Sequence, residues 1–247
     1  MKDLFSSHAK SYSAYRPTYP PELFEYILQF VSERKYVWDC ATGNGQAAVT
    51  LAGYFDHVDA TDISEQQINN AVPAKNIHYY VCPAEHTPFS DNRFDLITIA
   101  QAYHWISWKK FYDEATRTAK NGGVVAAWTY SLFSTDDPAL NHLIDRFYYE
   151  IVAPYWDAER KYVDEGYASV EFDFKPLPVK NFYIKVKWSR EQFTGYLNSW
   201  SAVQHYIKKN HKSPMEQILP ELETLWPSNE SKHFRFPVFL RLGRIEK

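Results

Sequence analysis

The chain has 247 residues, a formal net charge of −3, and 45% hydrophobic against 23% charged residues. That composition excludes a disordered chain, a collagen-like fibre and a coiled coil, and the length suits one large domain or one and a half. A charge this near zero argues against a protein built around a polyanion, and 17% aromatic residues are more than one core needs, which points to a ring-lined pocket as well.

The first 20 residues are polar, aromatic and interrupted by Pro17 and Pro20. Pro21 opens a helix predicted over 21–32, with Leu23, Phe24, Ile27, Leu28 and Val31 as its apolar stripe. An apolar run over 36–41 ends in Thr42-Gly43-Asn44-Gly45, and an amphipathic stretch follows over 46–54. This reads as strand, tight turn, helix. The next strand covers 57–61 and ends at Asp62; Ser64 can cap a helix reaching 71. Strands follow over 77–82 and 94–100, then a helix over 108–120 stopped by Asn121-Gly122-Gly123, then a strand over 124–130. Helices are predicted over 138–152 and 190–209, and strands over 181–188 and 236–245. Strands alternating with helices through short Gly or Asp turns predict an α/β, doubly wound, mostly parallel sheet, with 131–180 as a helical insertion. Right-handed crossovers then gather the strand C-terminal ends on one edge, where ligands bind.

Four pieces fall on that edge. Asp39-Cys40-Ala41-Thr42-Gly43-Asn44-Gly45 places glycines where the backbone can take positive φ and approach a ligand, ahead of the free N–H groups of a helix. Asp62 closes the second strand, where a carboxylate can accept both ribose hydroxyls of a nucleotide; the alternative is a helix cap. Ala84-Glu85 after the third strand can read an adenine edge, or Glu85 is a solvated loop acid. Gln101-Ala102-Tyr103-His104-Trp105 brings amide, phenol, imidazole and indole to the rim, or is a packed aromatic turn. The first turn carries no Walker lysine, which disfavours an NTPase. A nicotinamide-dependent oxidoreductase stays open if Ala48 serves as the third member of its fingerprint.

These pieces, in this order, resemble the class I S-adenosylmethionine-dependent methyltransferases, in the small-molecule group that includes the trans-aconitate methyltransferases. The resemblance spans essentially the whole chain. It includes the lead-in Tyr12-Ser13-Ala14-Tyr15-Arg16-Pro17-Thr18-Tyr19-Pro20, the acid run from Asp62 and Ile63, and Ser199-Trp200-Ser201-Ala202 as a late segment near the acceptor. One position departs from the family pattern: Ala41 stands where the first motif has glycine, and the turn is expected to survive it.

The resemblance implies one methyltransferase domain over 1–247 with a Rossmann-like, seven-stranded sheet. Residues 1–20 would form a lid, 36–130 the cofactor core, and 131–180 with 189–235 a helical cover over the acceptor site. The implied cofactor is S-adenosyl-L-methionine, leaving as S-adenosyl-L-homocysteine. Its contacts would be Tyr12, Arg16, Asp39, Ala41, Gly43, Asn44, Gly45, Asp62, Ile63, Ala84, Glu85, Gln101 and Ala102. Arg16 can take the methionine carboxylate bidentately. A small-molecule acceptor, a carboxylate among the options, would meet Tyr19, Tyr103, His104, Trp105, Trp128 and Trp200. His104 is the base or positioning group.

Several absences shape the remaining expectations. No Cys-x-x-Cys or His-x-x-x-His spacing suggests a metal. Lys208, Lys209, His211 and Lys212 read as a solvated helix end rather than a nucleic-acid patch. No run spans a membrane, no signal peptide opens the chain, no obligate protein partner is evident, and Cys40 and Cys82 fit a reducing compartment. The expected location is cytoplasmic. A non-catalytic module that binds the same cofactor is the alternative from another class.

Overall fold

The computed structural model describes residues 15–227 and 230–247, so Tyr12 and most of the expected lid lie outside the described residues. The chain builds α1 (Pro21–Leu28), β1 (Tyr36–Cys40), α2 (Gln46–Leu51), β2 (His57–Asp62), α3 (Glu65–Asn69), β3 (Ile77–Val81) and β4 (Phe94–Ala100). It continues with α4 (Trp108–Thr118), β5 (Ala119–Tyr130), β6 (Ser134–Thr135), α5 (Pro138–Arg146), α6 (Arg160–Asp164) and β7 (Lys175–Pro176). The last elements are β8 (Phe182–Ser189), α7 (Arg190–Asn198), α8 (Ser201–Asn210), α9 (Leu219–Leu225) and β9 (Ser231–Arg244). β6 and β7, two residues each, are additions to the seven longer strands that the sequence predicts.

Strands β3, β2, β1, β4 and β5 pair in parallel in that order, and β9 runs antiparallel beside β5. Val238 of β9 pairs with both Tyr130 of β5 and Phe182 of β8, so these two strands flank opposite edges of β9. The parallel register brings the ends of β1, β2, β3 and β4 to one edge.

Both faces of the sheet are covered, and side-chain alternation sorts the core into two layers. Along β5, Val124, Ala126, Trp128 and Tyr130 join one apolar cluster with α1, α5, α7 and α8. Val125 and Ala127 join the other, with Trp38, Phe94 and Phe111. Pro21 starts α1 at a position whose N–H would be unpaired anyway, and Leu23, Phe24, Ile27 and Leu28 are its buried stripe. Ser64 caps α3 by accepting from Gln67 N–H at 3.2 Å.

Several boundaries differ from expectation, among them α2, which stops at Leu51 rather than 54, and β9, which starts at Ser231 rather than 236. Helix α1 stops at Leu28 rather than 32. Helix α4 ends at Thr118, and Asn121-Gly122-Gly123 lies inside β5 as an irregularity in its pairing with β4. Gly122 takes φ +81 there and donates to the Ile245 carbonyl at 2.9 Å, so the C-terminal strand ties the glycine pair into the sheet. The helix expected over 190–209 is two helices, broken at Ser199-Trp200, because the Trp200 backbone turns extended to bury its indole against Phe147, Tyr148 and Trp156. The helix expected over 138–152 gives way after Arg146 to a wider π turn over Phe147–Ile151. No helix among the described residues is long and apolar enough to cross a membrane.

Candidate active site

The turn after β1 is held by its own acid. Asp39 is buried, accepting from Thr98 Oγ1 at 2.6 Å and from Thr42 Oγ1 at 2.5 Å. Burial pushes its carboxyl up to about 6, against those two hydroxyl bonds and a backbone bond from Ala48. Above it the backbone turns left-handed three times, with φ +53 at Ala41, +58 at Gly43 and +87 at Gly45. The alanine therefore occupies the conformation that glycine favours, and the turn forms around it. Gly43 and Gly45 are required for different reasons. A Cβ at Gly43 would meet nothing within 4 Å, so that face of the turn is open to a ligand. A Cβ at Gly45 would sit 2.2 Å from the Tyr79 hydroxyl, which itself donates to the Val72 carbonyl at 2.7 Å.

Asp62, at the end of β2, locks this turn to α3. One carboxylate oxygen accepts Gly43 N–H at 2.9 Å and the other accepts Ser64 N–H at 2.9 Å. Asn44 and Ile63 lie beside these contacts in sequence. Ala84 is buried after β3, and Glu85 accepts Ser107 N–H at 2.9 Å, tying the third strand end to the start of α4. These strand ends lie beside one another along the sheet edge. An open glycine face, a left-handed turn ahead of α2 and a carboxylate on the next strand are what a nucleoside-bearing cofactor needs.

The end of β4 builds a second feature. Gln101 takes φ +56, donates from Nε2 to the Tyr130 carbonyl at 3.1 Å and accepts from Thr129 Oγ1 at 2.5 Å. Ala102 is buried behind it. His104 is 9% exposed, and its Nδ1 lies 2.9 Å from the Tyr167 hydroxyl. Burial first, then the Arg160 guanidinium, push His104 down to about 3. Tyr167 is also left-handed, at φ +63. Thus three of the five positive-φ residues other than glycine among the described residues (Ala41, Gln101 and Tyr167) support this edge, a concentration of strain typical of functional sites.

Arg16, Gln101, His104, Trp105, Trp156, Asp157, Arg160, Val163, Trp200 and Ser201 line one narrow chamber of about 60 Å³. Arg16 donates to Tyr130 Oη at 3.2 Å and to the Ser199 carbonyl at 3.1 Å, across the break between α7 and α8. The next residue, Pro17, accepts from Gln46 Nε2 at 3.1 Å. Residues 16 and 17 thus bridge the start of α2 and the break between α7 and α8. Arg160 Nε donates to Tyr148 Oη at 2.6 Å and Asp164 at 3.1 Å, with the guanidinium over the Trp156 ring at 4.6 Å.

The structure gathers Arg16, Gln101, His104, Trp105 and Trp200 into the chamber, and it places three other expected acceptor contacts elsewhere. Tyr103 packs against Phe111, Tyr167 and Phe172 and donates to the Glu171 carbonyl at 2.7 Å. Tyr19 and Trp128 pack edge to face with Phe24 in the core beneath. Sequence reasoning missed Asp157, Arg160 and Val163 as chamber residues and Tyr167 as the partner of His104, while Ser201 belongs to the late segment expected near the acceptor. The signal present was the segment Trp156-Asp157-Ala158-Glu159-Arg160, whose charges interrupt an aromatic stretch without helical period. Among the described residues no cluster of three metal-ligating side chains occurs.

The comparisons with known proteins agree with this geometry. Residues 38–127 match the family described as Methyltransferase domain. A Dictyostelium discoideum protein named as a methyltransferase is 32% identical over 253 residues, covering 99% of this chain and 95% of its own. The structure of a type II methyltransferase from Anaeromyxobacter dehalogenans superposes with a TM-score of 0.87 at 35% identity, covering 94% of this chain and 98% of that one. A methyltransferase of Aspergillus candidus is 23% identical over 252 residues, covering 90% and 78% of the two chains. The chain belongs to the class I S-adenosylmethionine-dependent methyltransferases, and S-adenosylmethionine is its cofactor. The nicotinamide reading of the same turn is thereby set aside.

Proposed function

We propose that the protein transfers a methyl group to a small-molecule carboxylate. The observation that carries this reading is Arg160, a guanidinium that lines the chamber with its Nε fixed by Tyr148 and Asp164, apart from Arg16 at the cofactor's end. A guanidinium takes a planar carboxylate through one or two N–H donors. Held by one oxygen, the carboxylate keeps the other as a nucleophile that has no proton to lose. His104 suits this chemistry as an orienting group, since an imidazole held down to about 3 does not retain a proton near neutral pH.

When bound, S-adenosylmethionine supplies an electrophilic methyl group on a sulfonium. Ala41, Gly43, Asn44 and Gly45 would hold it by the backbone, Asp62 and Ile63 at the ribose, and Ala84 and Glu85 at the base. Gln101, Ala102 and Arg16 would meet the methionine end, with Asp39 fixing the turn from below. The remaining work is positioning and exclusion of water, which the indoles of Trp105, Trp156 and Trp200 perform at the walls.

The test is transfer from methyl-labelled S-adenosylmethionine to a panel of small carboxylic acids, with the matching amides and alcohols beside them. The expected product is a methyl ester, releasing labelled methanol in base, with turnover lost in Arg160→Gln. Label fixed to nitrogen would contradict the acceptor class. No transfer to any acceptor, with cofactor bound, would leave a binding protein without catalysis.

A further inference from the structure

We infer that Trp156 and Asp157 form a second recognition point in the chamber, a site for a hydroxyl group on the acceptor; this rests on the chamber being the acceptor site. Trp156 Nε1 and Asp157 Oδ2 are both buried, and neither has a hydrogen-bond partner among the described residues. Both residues line the chamber. His205 does not fill the need: its Nδ1 is 3.9 Å from Asp157 Oδ2 and bonds to the Tyr155 carbonyl at 3.0 Å. Buried polar groups are normally paired, so two orphaned groups on adjacent residues, facing one cavity, call for a ligand.

The chemistry of the pair selects that ligand. An indole N–H only donates, and a carboxylate oxygen only accepts. One group that satisfies both must accept a hydrogen bond and donate another. A hydroxyl does so. An ammonium has no acceptor to offer Trp156, and a second carboxylate has no donor to offer Asp157. Arg160 supplies the complement. Its Nε is fixed by Tyr148 and Asp164, its terminal amino groups have no partner among the described residues, and its plane lies over the Trp156 ring. A carboxylate on Arg160 and a hydroxyl between Trp156 and Asp157 define a short hydroxy acid, or a larger acceptor that ends in one.

The probes are acetate, glycolate, glycine and inorganic phosphate. Each is titrated into the full chain with and without S-adenosylhomocysteine, followed by tryptophan fluorescence and ligand-detected NMR. Glycolate is expected to bind about 10-fold more tightly than acetate, the usual scale for one hydrogen bond to a charged group. Asp157→Ala, and separately Trp156→Phe, should erase that preference while leaving acetate binding in place; Arg160→Gln should weaken both acids. Having two variants guards against one that fails to fold. Equal binding of acetate and glycolate would overturn the proposal. So would glycine matching glycolate, phosphate binding most tightly, no probe binding at all, or a preference that survives both variants. If S-adenosylhomocysteine fails to bind while the glycolate preference stands, methyl transfer is lost and the hydroxyl site survives; the reverse pattern removes only the hydroxyl site.

Discussion

The glycine turn and the chamber are built in opposite ways. The turn uses backbone: three left-handed residues, two N–H groups on Asp62 and one buried acid beneath, all drawn from 39–45 and 62–64. The chamber uses side chains from four distant stretches, at 16, 101–105, 156–163 and 200–201. Backbone recognition tolerates little variation in shape and is bound to a local motif. Side-chain recognition can change its ligand by changing one residue. One fold can therefore keep a cofactor and vary its acceptor.

Substitutions that break the turn should have the largest effect. Gly45→Val adds a Cβ against Tyr79 at φ +87. The left-handed penalty and the overpacking together should cost about 2–5 kcal/mol of stability, read by denaturant unfolding. Wild-type stability would mean that Tyr79 does not confine the turn.

The chamber side should show itself through pH. The unfolded chain takes up a proton at His104 near its ordinary value of 6.5, whereas the folded chain waits until about 3. Its contribution to stability is therefore complete above about pH 6.5 and is lost progressively as pH falls toward 3. Between pH 7 and 4 the wild type should lose about 2–4 kcal/mol relative to His104→Gln, and parallel stability curves would show that His104 is not held neutral.

Asp62→Ala should weaken S-adenosylhomocysteine by about 1–3 kcal/mol, through lost ribose contacts and a loosened turn. Unchanged affinity by calorimetry would remove Asp62 from the cofactor site. Ala41→Gly is the smallest change. It relieves a left-handed alanine but frees the unfolded chain, for a net gain of about 0.5 kcal/mol. A clear loss of stability would mean that the alanine methyl packs to advantage.

The same contrast explains what the sequence disclosed. The order of strands, the glycine turn and Asp62 were legible because each is local: apolar runs of strand length, small residues at a turn, an acid at a strand end. Arg16 was legible because its segment carries a pattern. Asp157 and Arg160 were not, because no spacing links them to His104; the fold alone brings 104 and 160 together. Tyr103 and Trp128 show the converse. Both were expected at the rim, but alternation along β5 turns the Trp128 ring into the core, and the 3-10 turn after β4 packs Tyr103 against Phe111, Tyr167 and Phe172. The helix break at Trp200 was hidden for a similar reason, since local pattern favours helix and the buried indole overrides it.

The most direct test is calorimetric titration of S-adenosylhomocysteine into the wild type, Asp62→Ala and Arg160→Gln, with NADH run beside it. The account predicts one-to-one binding to the wild type, weaker binding to Asp62→Ala, affinity near wild type for Arg160→Gln and no heat from NADH. Equal losses in the two variants would contradict the separation of a backbone-built cofactor site from a side-chain-built acceptor site, and the absence of binding to the wild type would contradict the cofactor assignment itself.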